Sequence, residues 1–357
     1  MKTISFHNQG DRKPDAADGR APPRTPKGQG RATPMVGSPS TPSTSEWIAR
    51  LPNRTASIAG IVLLAHGCRQ SPRVWFSKSG ACADCIAKPE ERCMAARLLE
   101  ANFAVVAAGN PTHGAHGCWE SADVPVVAER LRAWRLSVAL PSSTPLFLLG
   151  PSSGGFFATQ YARQWRDVRA IAIQVSTPSL TEVQPPLPSG AVQFPPMQMI
   201  LMQRDSGKLR DAQAVASRPN VELITATPKP VTPTFFSEGI LGLSAELSHA
   251  LQQALIRAGF VDRGSLMVTK HPSRGSWKDV VKAPLEESHR KRRAGALPQD
   301  SLQVAMDGVF ARLDLAYAYH ASTCEFIDRS IAFFHRAADQ STQGTAGRHS
   351  GHGRPKT

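Results

Sequence analysis

The chain has 357 residues, 41% of them hydrophobic, with 29 prolines and a formal charge of +14, enough to bury a large core in one long α/β domain or two smaller ones. The charge does not describe a basic globular surface. Residues 1–50 carry 8 basic against 4 acidic groups, 257–294 carry 10 against 4 and 335–357 carry 4 against 1, so the remainder is close to neutral and no specific nucleic-acid partner is expected.

Residues 1–45 are rich in Pro, Gly, Ser, Thr and Arg without apolar periodicity and read as a disordered basic tail. The first 30 residues lack the apolar stretch of a secretory signal. A cytoplasmic location is the default expectation, and a secretory or plastid one follows if this N-terminus is not the native one. The globular domain is expected over 46–336. IAGIVLLAHG (58–67) is an almost continuous apolar run closed by Gly67, the pattern of a strand buried on both faces and too short to cross a bilayer. CMAARLLEAN (93–102) has helical spacing, FAVVAAG (103–109) is a second strand and VPVVAERLRAWRLSVAL (124–140) an amphipathic helix. PLFLLG (145–150) and GGFFATQYARQW (154–165) repeat the strand–helix order, followed by the strands VRAIAIQVS (168–176) and MQMILMQRD (197–205), the helix KLRDAQAVAS (208–217) and the strand VELITA (221–226). This alternation predicts a doubly wound, mostly parallel α/β sheet. Residues 227–300 break it: a Pro-rich segment, a helix over 243–260 and then a polar, basic stretch containing HRKRR (289–293), which has the composition of a localisation signal or polyanion patch and reads most plainly as a solvated loop. The segment is expected to be a lid-like insertion. Helices over 301–320 and 324–338 close the domain, the second with a capping box from Ser322 and Glu325. Residues 337–357 are expected to be a second disordered tail.

The turn between the third strand and its helix carries the chemistry. Gly150 and Gly155 have the spacing of a phosphate-binding loop, but Phe156 and Phe157 stand where Lys and Ser/Thr are required. Gly150-Pro151-Ser152-Ser153-Gly154 instead fits G-x-S-x-G, a sharp turn that lifts a serine hydroxyl above the strand ends beside a helix N-terminus. Glycine is needed at 150 and 154 because a Cβ there would crowd the turn. The plainer alternative is a tight strand-to-helix corner.

This stretch resembles the nucleophile elbow of the α/β-hydrolase superfamily. With LLAHGC upstream, GPSSGGFFA is similar to a group of plant and algal proteins built on that core, over roughly residues 58–336. The resemblance implies a Ser–acid–His order along the chain and a serine hydrolase that needs no cofactor or metal. Asp205, directly after a buried apolar run, is then the acid, with Asp211 a weaker candidate inside the next helix. His113 and His116 precede the serine, and His7, His349 and His352 lie in the tails. His249, His271 and His289 fall in the insertion and His335 on the last helix, which leaves His320 in AYAYHAST as the base. The His66-Gly67 pair implies an oxyanion hole formed by the N–H of Cys68 or Arg69 with that of Ser153.

Cys82-x-x-Cys85 raises zinc, redox and disulfide readings. Zinc needs a fourth ligand beyond Cys82, Cys85 and Cys93, for which Cys68 or Cys118 is the candidate, and no second C-x-x-C is present, so disulfides among Cys68, Cys82, Cys85, Cys93 and Cys118 are expected if the protein meets an oxidising compartment. The functional expectation is cleavage of an ester, thioester or amide of a small or lipid-like acyl substrate through an acyl-enzyme on Ser152. The alternative is a non-catalytic binding or scaffold protein on the same core.

Overall fold

The computed structural model describes residues 47–53, 58–112, 117–183, 194–267, 276–292 and 300–346. Among the described residues, seven strands form one sheet in the order β1-β3-β2-β4-β5-β6-β7. They are β1 (Trp47–Arg50), β2 (Gly60–Ala65), β3 (Phe103–Ala108), β4 (Leu146–Pro151), β5 (Val168–Gln174), β6 (Met197–Met202) and β7 (Val221–Ala226). All neighbours run parallel except β1, which pairs antiparallel with β3 at the sheet edge. The helices are α1 (Pro89–Glu100), α2 (Asp123–Ser137), α3 (Ser153–Gln164), α4 (Leu180–Val183), α5 (Ser206–Ala216), α6 (Phe235–Gly239), α7 (Ala245–Arg257), α8 (Trp277–Arg292), α9 (Asp300–Tyr317) and α10 (Ile327–Ala346). The fold is the expected doubly wound, mostly parallel sheet with helices packed on it. Among the described residues, the short edge strand β1 is the one that precedes β2.

Helices cover both faces of the sheet, which is why β2, β3, β4 and β6 are buried at every position. On one face, Leu63, Val106, Leu148, Ile171 and Met199 pack against Val127 and Leu131 of α2 and Phe157 and Tyr161 of α3. On the other, Val62, Val105, Phe147 and Ala170 meet Met94 and Leu98 of α1 and Phe333 and Phe334 of α10. Phe334 stacks on Phe147 with centroids 4.8 Å apart and meets Phe103 edge-on at 6.2 Å.

Residues 231–316 build a separate apolar cluster. Phe236, Leu251, Leu255, Trp277, Val281, Val309 and Leu313 come together from α6, α7, α8 and α9. Here the structure corrects the reading of residues 277–292 as part of a polar stretch. Trp277, Val281 and Leu285 recur every fourth residue and are buried, which seats α8 against its neighbours although Pro284 lies inside it. HRKRR therefore closes a helix as far as Arg292 rather than forming a loop, and Lys291 pairs with Glu287 one turn back at 2.7 Å.

The ends of the last helix also differ from expectation. It begins at Ile327, not near 324, and Ser322 does not cap it. The Ser322 hydroxyl donates to Glu91 Oε1 at 2.8 Å instead, a partner distant in sequence. The helix continues to Ala346, so residues 337–346, expected to begin a tail, extend it; Ala337 is buried against the sheet, and no proline interrupts the stretch. The N-terminal tail, His113, His116, His271 and residues 347–357 lie outside the described residues. Among the described residues no helix is long and apolar enough to cross a membrane.

Phe334 sits where α10 closes the second face, so Phe334→Ala should lower stability by about 3–5 kcal/mol. Urea unfolding followed by circular dichroism would show this as a lower midpoint at unchanged slope.

Candidate active site

The site lies where the winding of the sheet reverses. From β2 the chain steps outward to β3, then returns to place β4 on the other side of β2. The loops leaving β2 and β4 therefore rise from adjacent parallel strands and face each other, the arrangement that opens a crevice at the carboxyl ends of such sheets.

The loop from β4 is a strained elbow. Ser152 holds φ 53° and ψ −118°, a region that non-glycine residues avoid. Its N–H donates to Gln174 O at 2.8 Å, and its carbonyl accepts from Gly155 N–H at 3.0 Å. The flanking glycines are steric necessities. A Cβ at Gly150 would overlap the backbone of Gly154, and one at Gly154 would overlap Ala65 O and come within 2.9 Å of His66 O. A Cβ at Gly155 would come within 2.5 Å of Ser176 Cβ, a requirement that the five-residue motif does not contain.

Asp205 and His320 come to this serine from 53 and 168 residues further along the chain. His320 Nε2 lies 3.1 Å from Ser152 Oγ, and Nδ1 lies 3.2 Å from Asp205 Oδ2. Asp205 is buried behind β6 and also caps a helix, because its Oδ1 accepts from Lys208 N–H at 3.4 Å at the start of α5. One carboxylate oxygen faces the helix end while the other faces the imidazole. The weaker acid candidate, Asp211, lies inside α5, and His249 and His289 lie on α7 and α8.

His320 stands in an irregular loop after α9, which leaves the helix through Ala318 at φ 57°. Arg204 N–H donates to Ala318 O at 2.9 Å, and the Arg204 guanidinium lies over the Tyr317 ring at 4.4 Å. Beyond the histidine, α1 holds the loop. Glu90 accepts from Cys324 N–H at 2.7 Å and from Arg312 at 2.7 Å, Glu91 accepts from Ser322, and Cys93 is disulfide-bonded to Cys324. Burial pushes the Glu91 carboxyl above the usual carboxylate range. Sequence reasoning does not reach Cys324, Glu90, Glu91 or Gln174. An even cysteine count is the one available signal, since five candidates leave one bridge incomplete.

The loop from β2 carries His66, Gly67 and Cys68. Cys68 is bonded to Cys118, and Trp119 Nε1 donates to His66 O at 2.8 Å, so two ties hold this loop to the segment after β3. Arg69 N–H is committed to Gly117 O at 3.1 Å. Among the described residues no hydrogen bond engages the N–H of Cys68 or that of Ser153, the first residue of α3. The third bridge, Cys82–Cys85, is local, so the C-x-x-C thiolates are not available to a metal.

His66 is fully buried. Its Nδ1 lies 2.8 Å from Gly67 O, and a carbonyl only accepts, so Nδ1 carries the proton. Desolvation lowers its pKa to about 4, against the bond to Gly67 and the charge of Asp123, which raise it. His66 is thus neutral and structural, with its ring 5.1 Å from that of Trp119.

This packing has two measurable consequences. Gly154→Ala should leave little folded protein, because the atoms in its way belong to the backbone of β2 and its loop; soluble yield and thermal unfolding measure this. His66 takes up a proton in the unfolded chain near pH 6.5 and in the folded chain only near pH 4. Stability should therefore fall as pH drops between those values, by about 1.4 kcal/mol per pH unit and roughly 3 kcal/mol in all. Urea titrations across that window should show the slope, and His66→Asn should flatten it.

No protein-family model matches the chain, and no curated protein does. Solved structures align over about half of it. An acetyl xylan esterase from Aspergillus awamori is 19% identical with a TM-score of 0.32, over 45% of this chain and 68% of that one. A dienelactone hydrolase from Anabaena variabilis is 18% identical with a TM-score of 0.35, over 51% and 79%. A carboxylesterase from Mesorhizobium loti is 16% identical with a TM-score of 0.33, over 47% and 79%.

Proposed function

We propose that this chain is a serine hydrolase that cleaves an ester, thioester or amide of a small or lipid-like acyl substrate through an acyl-enzyme on Ser152. The observation that carries the reading is the line of three groups: Ser152 Oγ, 3.1 Å to His320 Nε2, then His320 Nδ1, 3.2 Å to Asp205 Oδ2. A neutral hydroxyl is a weak nucleophile, and a base within hydrogen-bond reach, itself oriented by a carboxylate, removes that limitation. The mounting of the serine on a strained turn at a helix N-terminus supports the same role.

In this reading Ser152 Oγ attacks the acyl carbon while its proton passes to His320 Nε2. Asp205 holds Nδ1–H and stabilises the imidazolium. The negative charge that develops on the carbonyl oxygen is met by the N–H groups of Cys68 and Ser153, neither of which is engaged among the described residues. Collapse of the tetrahedral intermediate breaks the bond to the alcohol, thiol or amine, which leaves with the proton from His320. Water then attacks the acyl-enzyme with His320 again taking a proton, and the acid is released with Ser152 restored. The chemistry needs no metal or cofactor. Helices α6 to α8 act as the lid-like insertion that shapes the acyl-binding side.

A fluorophosphonate probe tests the proposal directly. Purified wild type should be labelled, Ser152→Ala should not, and His320→Ala should be labelled at least about 10³-fold more slowly, as triad members act as a unit. Hydrolysis of a short p-nitrophenyl ester should follow the same order. A folded wild type that neither labels nor hydrolyses would leave the elbow as a corner in a binding protein.

A further inference from the structure

Gln174, the last residue of β5, touches both halves of the proposed site. Its main-chain carbonyl accepts from Ser152 N–H at 2.8 Å. Its side-chain Oε1 accepts from Thr323 N–H at 2.8 Å, and its Nε2 donates to Thr323 O at 3.0 Å. Nε2 also lies 3.2 Å from Met94 Sδ, and the residue is 1% exposed. A primary amide offers a donor and an acceptor side by side without ionising. Here it pairs with the N–H and C=O of a single residue as a neighbouring strand would.

The His320 loop needs such a partner. Its backbone between α9 and α10 belongs to no helix or strand, and Thr323 is fully buried, so its two polar main-chain groups must be satisfied by something other than water. The ties from α1 through Glu90, Glu91 and Cys93 anchor the loop to a helix outside the sheet. Gln174 anchors it to the same strand end that holds the serine. Ser152 to Gln174 to Thr323 is a closed path, and the 3.1 Å gap between Ser152 Oγ and His320 Nε2 is the remaining side of that ring.

We propose that Gln174 is a positioning residue that sets the Ser152–His320 separation by bonding the serine through its backbone and the histidine loop through its amide. The proposal rests on the serine-hydrolase reading above. The role requires no contact with substrate, so loss of the amide acts on the rate of the chemical step and not on binding. A displacement of about 1 Å in such a pair costs on the order of 10²-fold in rate.

The experiment uses full-length wild type, Gln174→Leu and Gln174→Glu, with fluorophosphonate inactivation resolved into its limiting rate and its half-saturating concentration, and with amide hydrogen exchange over residues 321–325. In Gln174→Leu the limiting rate should fall on the order of 10²-fold at an unchanged half-saturating concentration, with faster exchange at Thr323 and Cys324. Gln174→Glu keeps a donor and an acceptor while its carboxyl is protonated, so its rate relative to wild type should approach one at low pH and fall as the group ionises. With the rate normalised at each pH to the folded fraction measured by circular dichroism, a role in stability alone would not produce that pH dependence. If Gln174→Leu does not fold, the Gln174→Glu profile decides. A limiting rate within about twofold of wild type in folded Gln174→Leu, or a Gln174→Glu ratio that does not vary with pH, overturns the proposal. If wild type is not labelled at all, the hydrolase reading fails separately. Exchange then judges Gln174: unchanged protection in Gln174→Leu rejects its hold on the loop, and lost protection sustains it.

Discussion

The site depends on one backbone conformation, the left-handed turn at Ser152. A non-glycine residue held there costs about 1–3 kcal/mol and persists only where its surroundings leave it no alternative. The surroundings do so from three sides. Gly150 and Gly154 permit a closure that any Cβ would block. Gln174 O receives the Ser152 N–H, and α3 begins at the next residue, so the chain direction is committed at once. The carbonyl of Ala65 lies against Gly154, so the elbow and the loop after β2 cannot move independently. The strained serine and the loop after β2 meet through this one close approach between neighbouring strands.

Around this rigid centre the histidine is the element that most needs restraint. Serine and aspartate stand at strand ends, where the ladder holds the backbone. His320 stands on a loop, and the protein compensates with bonds from three directions: Arg204 to Ala318, Gln174 to Thr323, and α1 to Ser322 and Cys324. The α1 contribution is unusual in placing two adjacent glutamates in the interior. Glu90 is satisfied by the Arg312 guanidinium and a backbone N–H, while Glu91 has a hydroxyl donor and is held toward its neutral form. Two of the three disulfides reinforce the same loops, Cys68–Cys118 on the β2 side and Cys93–Cys324 on the histidine side. The surface ion pairs contribute little beside these.

Much of this is legible along the chain because it is local. The apolar runs announce buried strands, and the elbow announces itself because its two glycines and the serine fall within five consecutive residues. The place of Asp205 after its strand is legible for the same reason. Helix α8 is not, because its charged residues and Pro284 mask a stripe of Trp277, Val281 and Leu285 whose meaning appears only when α7 and α9 pack on it. Ser322 reads as a helix cap because a serine with a glutamate three residues on has the right spacing, yet Glu91 competes for the hydroxyl from 231 residues away.

The alternation of strands and helices, and the turn that lifts Ser152, are properties of the sequence alone, since both follow from side-chain periodicity and from the lack of a Cβ at particular positions. Which cysteines pair, which acids are buried and what holds His320 within reach of the serine are properties of the folded molecule. They depend on groups such as Cys93 and Cys324, or Gln174 and Thr323, that are far apart in the chain. No local rule links them, and they become neighbours only when the order of strands in the sheet brings their elements together.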